Sequence, residues 1–354
     1  MMLTRSVAES VSRDAVVLPC ARGPVSASLA SALGRRPGSS SEVFDGQPFV
    51  DDPLYGEDAP LALYMLYELH YRGFSDVDEE WEWNGDALRL RTRLERAFLS
   101  RLREAAAIKF GTNPTQPHAV ADELRSLAGS SGPSLSTFLA AEGTLQQFRE
   151  FAIHRSPYSL KEADPHTWAI PRLRGAAKAA LVTIQTDEYG SGRERDMHSA
   201  LFAEAMVALG LDPHYGAYLD LVPGEVLSTV NLMSFFGLHR RWRGAIIGHL
   251  ALFEMCSVVP MSRCITALNR VAVPDAAPFY AAHVVADEWH QTIALDDMVG
   301  GLLAEEPQLA DDIVFGARAL DHLERRFTQR LLRAWSRHET SLYSPPVAAA
   351  SQAV

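Results

Sequence analysis

Apolar positions recur every three to four residues over most of the chain, the period of amphipathic helices. Leu61 to Tyr71 is a strongly apolar run, followed by an aromatic and acidic turn at Trp81, Trp83 and Asn84-Gly85. Leu88 to Ala107 sets Arg and Glu against Leu and Ala at helical spacing. Pro117 and the Ser130–Pro133 stretch mark breaks, and Leu135 to Ile153 predicts one further helix. A short helix over Pro157–Ala163 is expected to stop at Asp164-Pro165. Leu173 to Tyr189 then runs into Gly190-Ser191-Gly192, and Arg195 to Leu209 ends at Gly210. Helices are predicted at Glu225–Leu238, Ala245–Val259, Met261–Val271 and Ala276–Leu303, with a long last one from Gln308 to His338. Period-two alternation with β-branched residues is nearly absent, and neither an internal repeat nor a heptad pattern stands out. The pattern therefore predicts an all-α fold, a single domain of about eight to ten helices over residues 49–340.

The ends read differently. Residues 1–48 are rich in Ala, Ser, Arg and Gly, including Arg35-Arg36 and Ser39-Ser40-Ser41, and are expected to form a flexible leader. They lack the apolar segment of a secretory signal; an organellar transit peptide is the alternative. Residues 341–354 are expected to be a disordered tail.

The 354 residues, 47% hydrophobic and 22% charged, suffice for a full core and match an ordinary soluble globular protein. Thirty-three basic against forty-four acidic side chains leave a formal charge of −11, which phosphate would repel, so no nucleic-acid or anionic-membrane partner is expected. No apolar run approaches the roughly 18–20 residues of a membrane span. Cys20, Cys256 and Cys264 form no CxxC pair, and their odd number and wide spacing argue against a disulfide framework or a thiolate metal site. A cytoplasmic location is the expectation.

Candidate chemistry begins with His283, Asp287 and His290. At 100° per residue they lie at about 0°, 40° and −20°, on one helical face, among Ala281, Ala282, Val284, Val285, Ala286 and Trp289. Two imidazoles and a carboxylate buried together need partners, and a metal supplies them. A solvent-facing polar stripe, or two core histidines bonded to the carboxylate, are the alternatives. Glu254 sits within the apolar run Ile246 to Cys256, where a metal or a base such as Arg263 could hold it. His249, in the same run, reads as a satisfied core histidine.

Glu188 and His198 are ten residues apart, about 15 Å on a straight helix and on different faces. They could share a metal pair only if the helix breaks between them, and Gly190-Ser191-Gly192 offers a break. Carboxylate and imidazole donors without thiolate suit Fe or Mn rather than structural Zn. Six such donors suffice for two metals with positions left open for O₂. A ferritin-like site would show matched Glu-x-x-His pairs, and none is present.

The order Glu-x9-His, a helical Glu, then His-x3-Asp-x2-His resembles the haem-oxygenase-like diiron oxidases and oxygenases. The resemblance covers roughly residues 55–305 and includes Leu66-Tyr67-Glu68-Leu69-His70-Tyr71-Arg72-Gly73, Lys161-Glu162-Ala163-Asp164-Pro165-His166 and Asp187-Glu188-Tyr189-Gly190. These phrases look like the actinobacterial branch called iron-containing redox enzymes. The resemblance implies a haem-oxygenase-like helical bundle that binds two Fe(II) ions in place of haem and reacts with O₂. It also implies a small-molecule substrate, an external reductant and a homodimer. Glu188 and His198 fall on the family's first ligand helix, Glu254 on the second, and His283, Asp287 and His290 on the third. Members that hydroxylate amines carry an additional carboxylate on the preceding helix. Glu162 lies where that residue is expected, with a surface glutamate as the alternative. Glu68 and His70 match no family ligand; they are expected to line the pocket or to hydrogen-bond the ligands from behind. Ala294 stands where some members carry a further acidic residue.

The function so implied is O₂-dependent N-oxygenation of a small amine or amino-acid-like substrate in specialised metabolism. Oxidative C–C cleavage or desaturation of a fatty or amino acid by the same cofactor is the alternative within the fold. A non-catalytic helical protein binding haem or an apolar ligand is the alternative of a different class.

Overall fold

The structure, a computed structural model, describes residues 16–38, 49–106 and 116–344. Among the described residues there are helices and turns and no strand, as the periodicity predicts. The α-helices are α1 (Pro24–Leu33), α2 (Asp58–Glu68), α3 (Gly85–Ala105), α4 (Pro117–Ala128), α5 (Leu135–Ala141), α6 (Leu145–Ser159), α7 (Asp164–Thr167) and α8 (Gly175–Glu188). They continue with α9 (His198–Ala208), α10 (Gly224–Leu238), α11 (Arg243–Met255), α12 (Val258–Arg270), α13 (Ala277–Thr292), α14 (Gly300–Glu305) and α15 (Ala310–Ser336).

The helices are more numerous and shorter than expected, and each difference has a local cause. The single helix expected over Leu135–Ile153 is two, because Thr144 accepts from the Gln147 amide and the Gln147 side chain accepts from the Thr144 amide, a capping box that starts α6 afresh. Pro157 lies inside α6 rather than opening a new helix. Its missing N–H would have served the Ile153 carbonyl, which instead accepts from Ser156 Oγ at 2.8 Å. Pro117 and Asp164-Pro165 begin α4 and α7 rather than only ending what precedes them, since proline fits the first helical turn. The helix expected over Ala276–Leu303 passes through a π-helical turn, Ile293–Val299, just beyond His290.

The segment expected to be a leader is anchored to the core through α1. Val25, Leu29, Ala32 and Leu33 of α1 are buried, and the Asp58 carboxylate accepts from the Val25 and Ser26 amides at 2.9 and 2.7 Å, capping the helix start from α2. Arg22 ties the same segment to Glu57 at 2.8 Å. The rest of residues 1–48 lies outside the described residues. Of the expected tail, Ser341 is buried against Glu150 and the Tyr343 amide donates to the Leu221 carbonyl; residues 345–354 lie outside the described residues.

At the centre, α10 and α11 are predominantly apolar and buried along most of their length. α11 crosses α15 at glycines: a Cβ on Gly248 would lie 1.9 Å from the Ile313 carbonyl oxygen, and one on Gly316 would lie 1.9 Å from that of Ala245. This close crossing seats the C-terminal half of α11, with Glu254, in the interior. α8, α9, α11 and α13 then surround one polar region inside an otherwise apolar core. No single helix among the described residues is long and apolar enough to cross a membrane. The bent pair Arg240–Met255 and Val258–Arg270 meets that composition only jointly, and most of its first member is buried in the protein.

Candidate metal centre

α8 ends at Glu188 and α9 begins at His198, with two 3₁₀ turns, Gly190–Gly192 and Glu194–Asp196, between them. Gly190 makes the fold-back possible. Its φ is +60°, and a Cβ there would lie 2.5 Å from backbone atoms of Asp196 and Met197. The chain doubles back so tightly that His198 Nδ1 lies 2.7 Å from Glu188 Oε2, where a straight helix would hold the two about 15 Å apart.

The structure brings seven expected residues together in two groups. Glu162, Glu188, His198 and His283 form one; Glu188, Glu254, Asp287 and His290 form the other. Within each group the donor atoms all lie within 4.8 Å of one another, and Glu188 belongs to both. All seven side chains are buried.

The donors converge on common points rather than on each other. His198 Nδ1, near as it is to Glu188, makes no aligned hydrogen bond, and neither does His290 Nδ1, 3.3 Å from both Glu254 Oε2 and Asp287 Oδ1. Glu162 Oε2 and Asp287 Oδ1 are likewise buried without a partner. Leaving four such atoms unsatisfied is costly, and a cation at the focus of each group satisfies them, so the donor set fits a pair of metal ions.

Backbone and side-chain contacts orient two of the imidazoles for that role. His283 Nδ1 is 2.9 Å from the Phe279 carbonyl, to which it donates, so that Nε2 is the nitrogen facing Glu162 at 3.5 Å. His290 Nε2 donates to Asp187 Oδ2 at 3.1 Å, leaving Nδ1 toward Glu254 and Asp287. Ser257 Oγ donates to Asp287 Oδ2.

The electrostatics are those of a crowded acidic pocket. Burial raises the Glu254 carboxyl to about 8, helped by the nearby charges of Asp287 and Glu188. Burial pulls the other way on His283 and His290, but the facing carboxylates, Glu162 for the first and Asp287 and Glu254 for the second, hold them at about 10 and 11. Each imidazole therefore keeps its proton until a stronger cation displaces it.

Beside the first group lies a cavity of about 20 Å³, room for little more than one water molecule. Tyr158, Leu250, Phe253 and Met261 give it apolar walls, and His166 and Gln185 are its polar members apart from the seven and Ser257. His166 was not singled out by spacing, although it lies one turn beyond Glu162. Its Nε2 is 3.2 Å from His249 Nδ1. Burial pushes His166 down to about 4 and His249 well below its ordinary value, so both rings are neutral. His249 is thus the core histidine expected from its apolar run, satisfied on one nitrogen and without a partner on Nε2.

Glu68 and His70 are not among the residues lining the cavity. Glu68, fully buried, accepts from Lys161 Nζ and Tyr215 Oη, both at 2.7 Å, and so fixes the residue preceding Glu162. His70 pairs with Glu82 at 3.2 Å and meets Trp83 edge-on, away from the two groups. The difference is physical: α2 ends at Glu68, and the turn that follows carries His70 toward Glu82 and Trp83, where it is buried. Gln185, Asp187 and Ser257 carried no periodic signal, since each is recognised only through a partner distant in sequence.

A family model described as iron-containing redox enzyme matches residues 149–325, half of the 354-residue chain. The chain belongs to that family of oxidoreductases and has its haem-oxygenase-like helical fold. The nitrosourea synthase of Streptomyces achromogenes subsp. streptozoticus is 22% identical over 218 residues, which are 61% of this chain and 46% of that protein. The chain therefore spans about half the length of this curated relative.

Proposed function

We propose that the protein is a non-haem diiron oxygenase that transfers oxygen from O₂ to an amino nitrogen of a small substrate. The observation that carries this reading is Glu162, a buried carboxylate converging with Glu188, His198 and His283. It gives the first group a fourth donor, so that seven residues, not six, serve two ions. The relative that is a nitrosourea synthase agrees with it. Iron is the metal favoured by the family and by the donor set; Mn would be accepted by the same carboxylates and imidazoles.

Two ferrous ions, when bound, supply the electrons and Lewis acidity for reducing O₂. The balance R–NH₂ + O₂ + 2e⁻ + 2H⁺ → R–NHOH + H₂O requires an external reductant. The chain's own residues do the rest. Glu188 would serve both ions, Glu162, His198 and His283 would hold one, and Glu254, Asp287 and His290 would hold the other. Asp187 keeps the proton on His290 Nε2. The apolar wall keeps water away from the reacting face, and the cavity must widen at Met261 and Phe253, partly exposed side chains, to admit more than O₂.

The test is anaerobic reconstitution with Fe(II), then ¹⁸O₂ with a panel of amines and amino acids. Labelled oxygen on nitrogen is expected. An alkene or a shortened aldehyde without label would instead establish the cleavage or desaturation reading, and a haem absorption band without bound iron pairs would establish the non-catalytic one.

A further inference from the structure

Glu162 sits on a backbone that resists being where it is. Ala163, the next residue, has φ +76°, the left-handed region that a residue with a Cβ avoids. What over-determines this turn is a set of bonds from α7 and from the end of α8. The Ala163 carbonyl accepts from the His166 and Thr167 amides, both at 3.1 Å, and from Gln185 Nε2 at 2.9 Å. A carbonyl only accepts, so it fixes which end of the Gln185 amide faces it. The second Nε2 hydrogen goes to Thr167 Oγ1 at 2.6 Å. The chain runs on from Thr167 Oγ1 to Tyr189 Oη at 2.9 Å and from Tyr189 Oη to Asp164 Oδ1 at 2.8 Å. Gln185 on the last turn of α8 and Tyr189 just past its end flank Glu188, so the helix end that presents Glu188 also grips the strained turn that presents Glu162.

We propose that Gln185 is a positioning residue that holds Glu162 in reach of the first metal, through the strained turn at Ala163. The proposal rests on the two-metal reading above. When the Gln185 donor is removed, the turn relaxes, Glu162 withdraws, and the site returns to six donors. The ion held by His198 and His283 loosens, and the one held by Glu254, Asp287 and His290 does not.

The test is anaerobic Fe(II) titration of the full chain, wild type and Gln185→Leu, followed by near-infrared magnetic circular dichroism of the loaded protein. The variant should bind one iron as before and the other at least tenfold more weakly, with one ferrous site changing its coordination signature. Glu162→Gln should give the same pattern, and the double variant should be no worse than Glu162→Gln alone, because both changes remove the same ligand. Should Gln185→Leu fail to fold, Gln185→Met, of similar length and without a donor, serves instead, with helicity and melting temperature as the check on folding; adding Ala163→Gly, which accepts the positive φ without strain, should restore part of the lost affinity in either variant. Unchanged affinities, equal weakening of both irons, or losses that multiply in the double variant would overturn the proposal while leaving the two-metal reading intact. A wild-type chain that takes up no second iron would overturn both.

Discussion

Replacing Asp187 by Ala separates metal affinity from fold stability. Asp187 Oδ2 accepts from His290 Nε2 at 3.1 Å, and the carboxylate side chain is 40% exposed. An ion pair so open to water contributes at most about 1 kcal/mol to folding, so Asp187→Ala should lower the stability of the metal-free chain by no more than that. Its effect on the metal is larger. The bond holds the Nε2 proton and the ring's orientation, so that Nδ1, once a metal displaces its proton, is aimed at Glu254 and Asp287. Without it the ring is free to turn, and each binding event must restore its orientation. Removing such a partner typically weakens metal binding about 10–100-fold, or about 1.4–2.7 kcal/mol. Competition titration against a ferrous chelator measures the affinity, and urea unfolding of the metal-free chain measures the stability. An affinity within threefold of wild type, or a metal-free chain destabilised by more than about 2 kcal/mol, would refute the reasoning and make the bond a structural one.

Other perturbations follow from the same geometry. Because Glu188 belongs to both groups, Glu188→Gln should leave less than one metal per chain, whereas Glu254→Gln should leave about one; elemental analysis after desalting distinguishes them, and equal losses would contradict a shared carboxylate. Gly190→Ala places a Cβ at φ +60° against Asp196 and Met197, at a conformational cost of about 1–2 kcal/mol before any clash. The melting temperature should fall by several degrees, and amide exchange across residues 189–198 should quicken; unaltered exchange would mean that the fold-back does not depend on glycine. His154 is pushed down to about 3, chiefly by burial, against about 6.5 unfolded. Its neutral form therefore contributes stability that is present above pH 6.5 and lost as the pH falls toward 3. From pH 7 to 5 the loss attributable to it is about 2 kcal/mol. His154→Gln, which retains a partner for Ser341, should remove that part of the acid slope in urea unfolding, and an unchanged slope would exclude His154 as its source.

The candidate site was legible to the extent that it is local. His283, Asp287 and His290 announce themselves because the helical period turns a sequence spacing into a shared face, and α13 is helical across all three. Glu254 is visible as a charge in an apolar run. What periodicity does not carry is contact between elements. The anchoring of α1 depends on Asp58, more than thirty residues away, so composition alone made the segment look like a leader. The division of the helix expected over Leu135–Ile153 was legible in principle, since Thr144 and Gln147 form a capping box, but an uninterrupted apolar period outweighed it.

Glu188 and His198 lie between these cases, and they show why α8 matters most. Neither residue is on the face of a common helix, and the inference that they meet required only that glycine be able to reverse the chain. The fold adds what the spacing could not hold: the reversal is made at the residue pair after Glu188, while Gln185 and Tyr189, on either side of it, reach back to the turn of Glu162. One helical turn thus fixes the shared carboxylate, the return to His198 and the approach of Glu162. A substitution there is expected to alter how many ligands the two metals share, whereas one on α13 alters which single metal is held. The placement of the seven candidate donors therefore depends on the end of α8 as well as on the motif that reveals them.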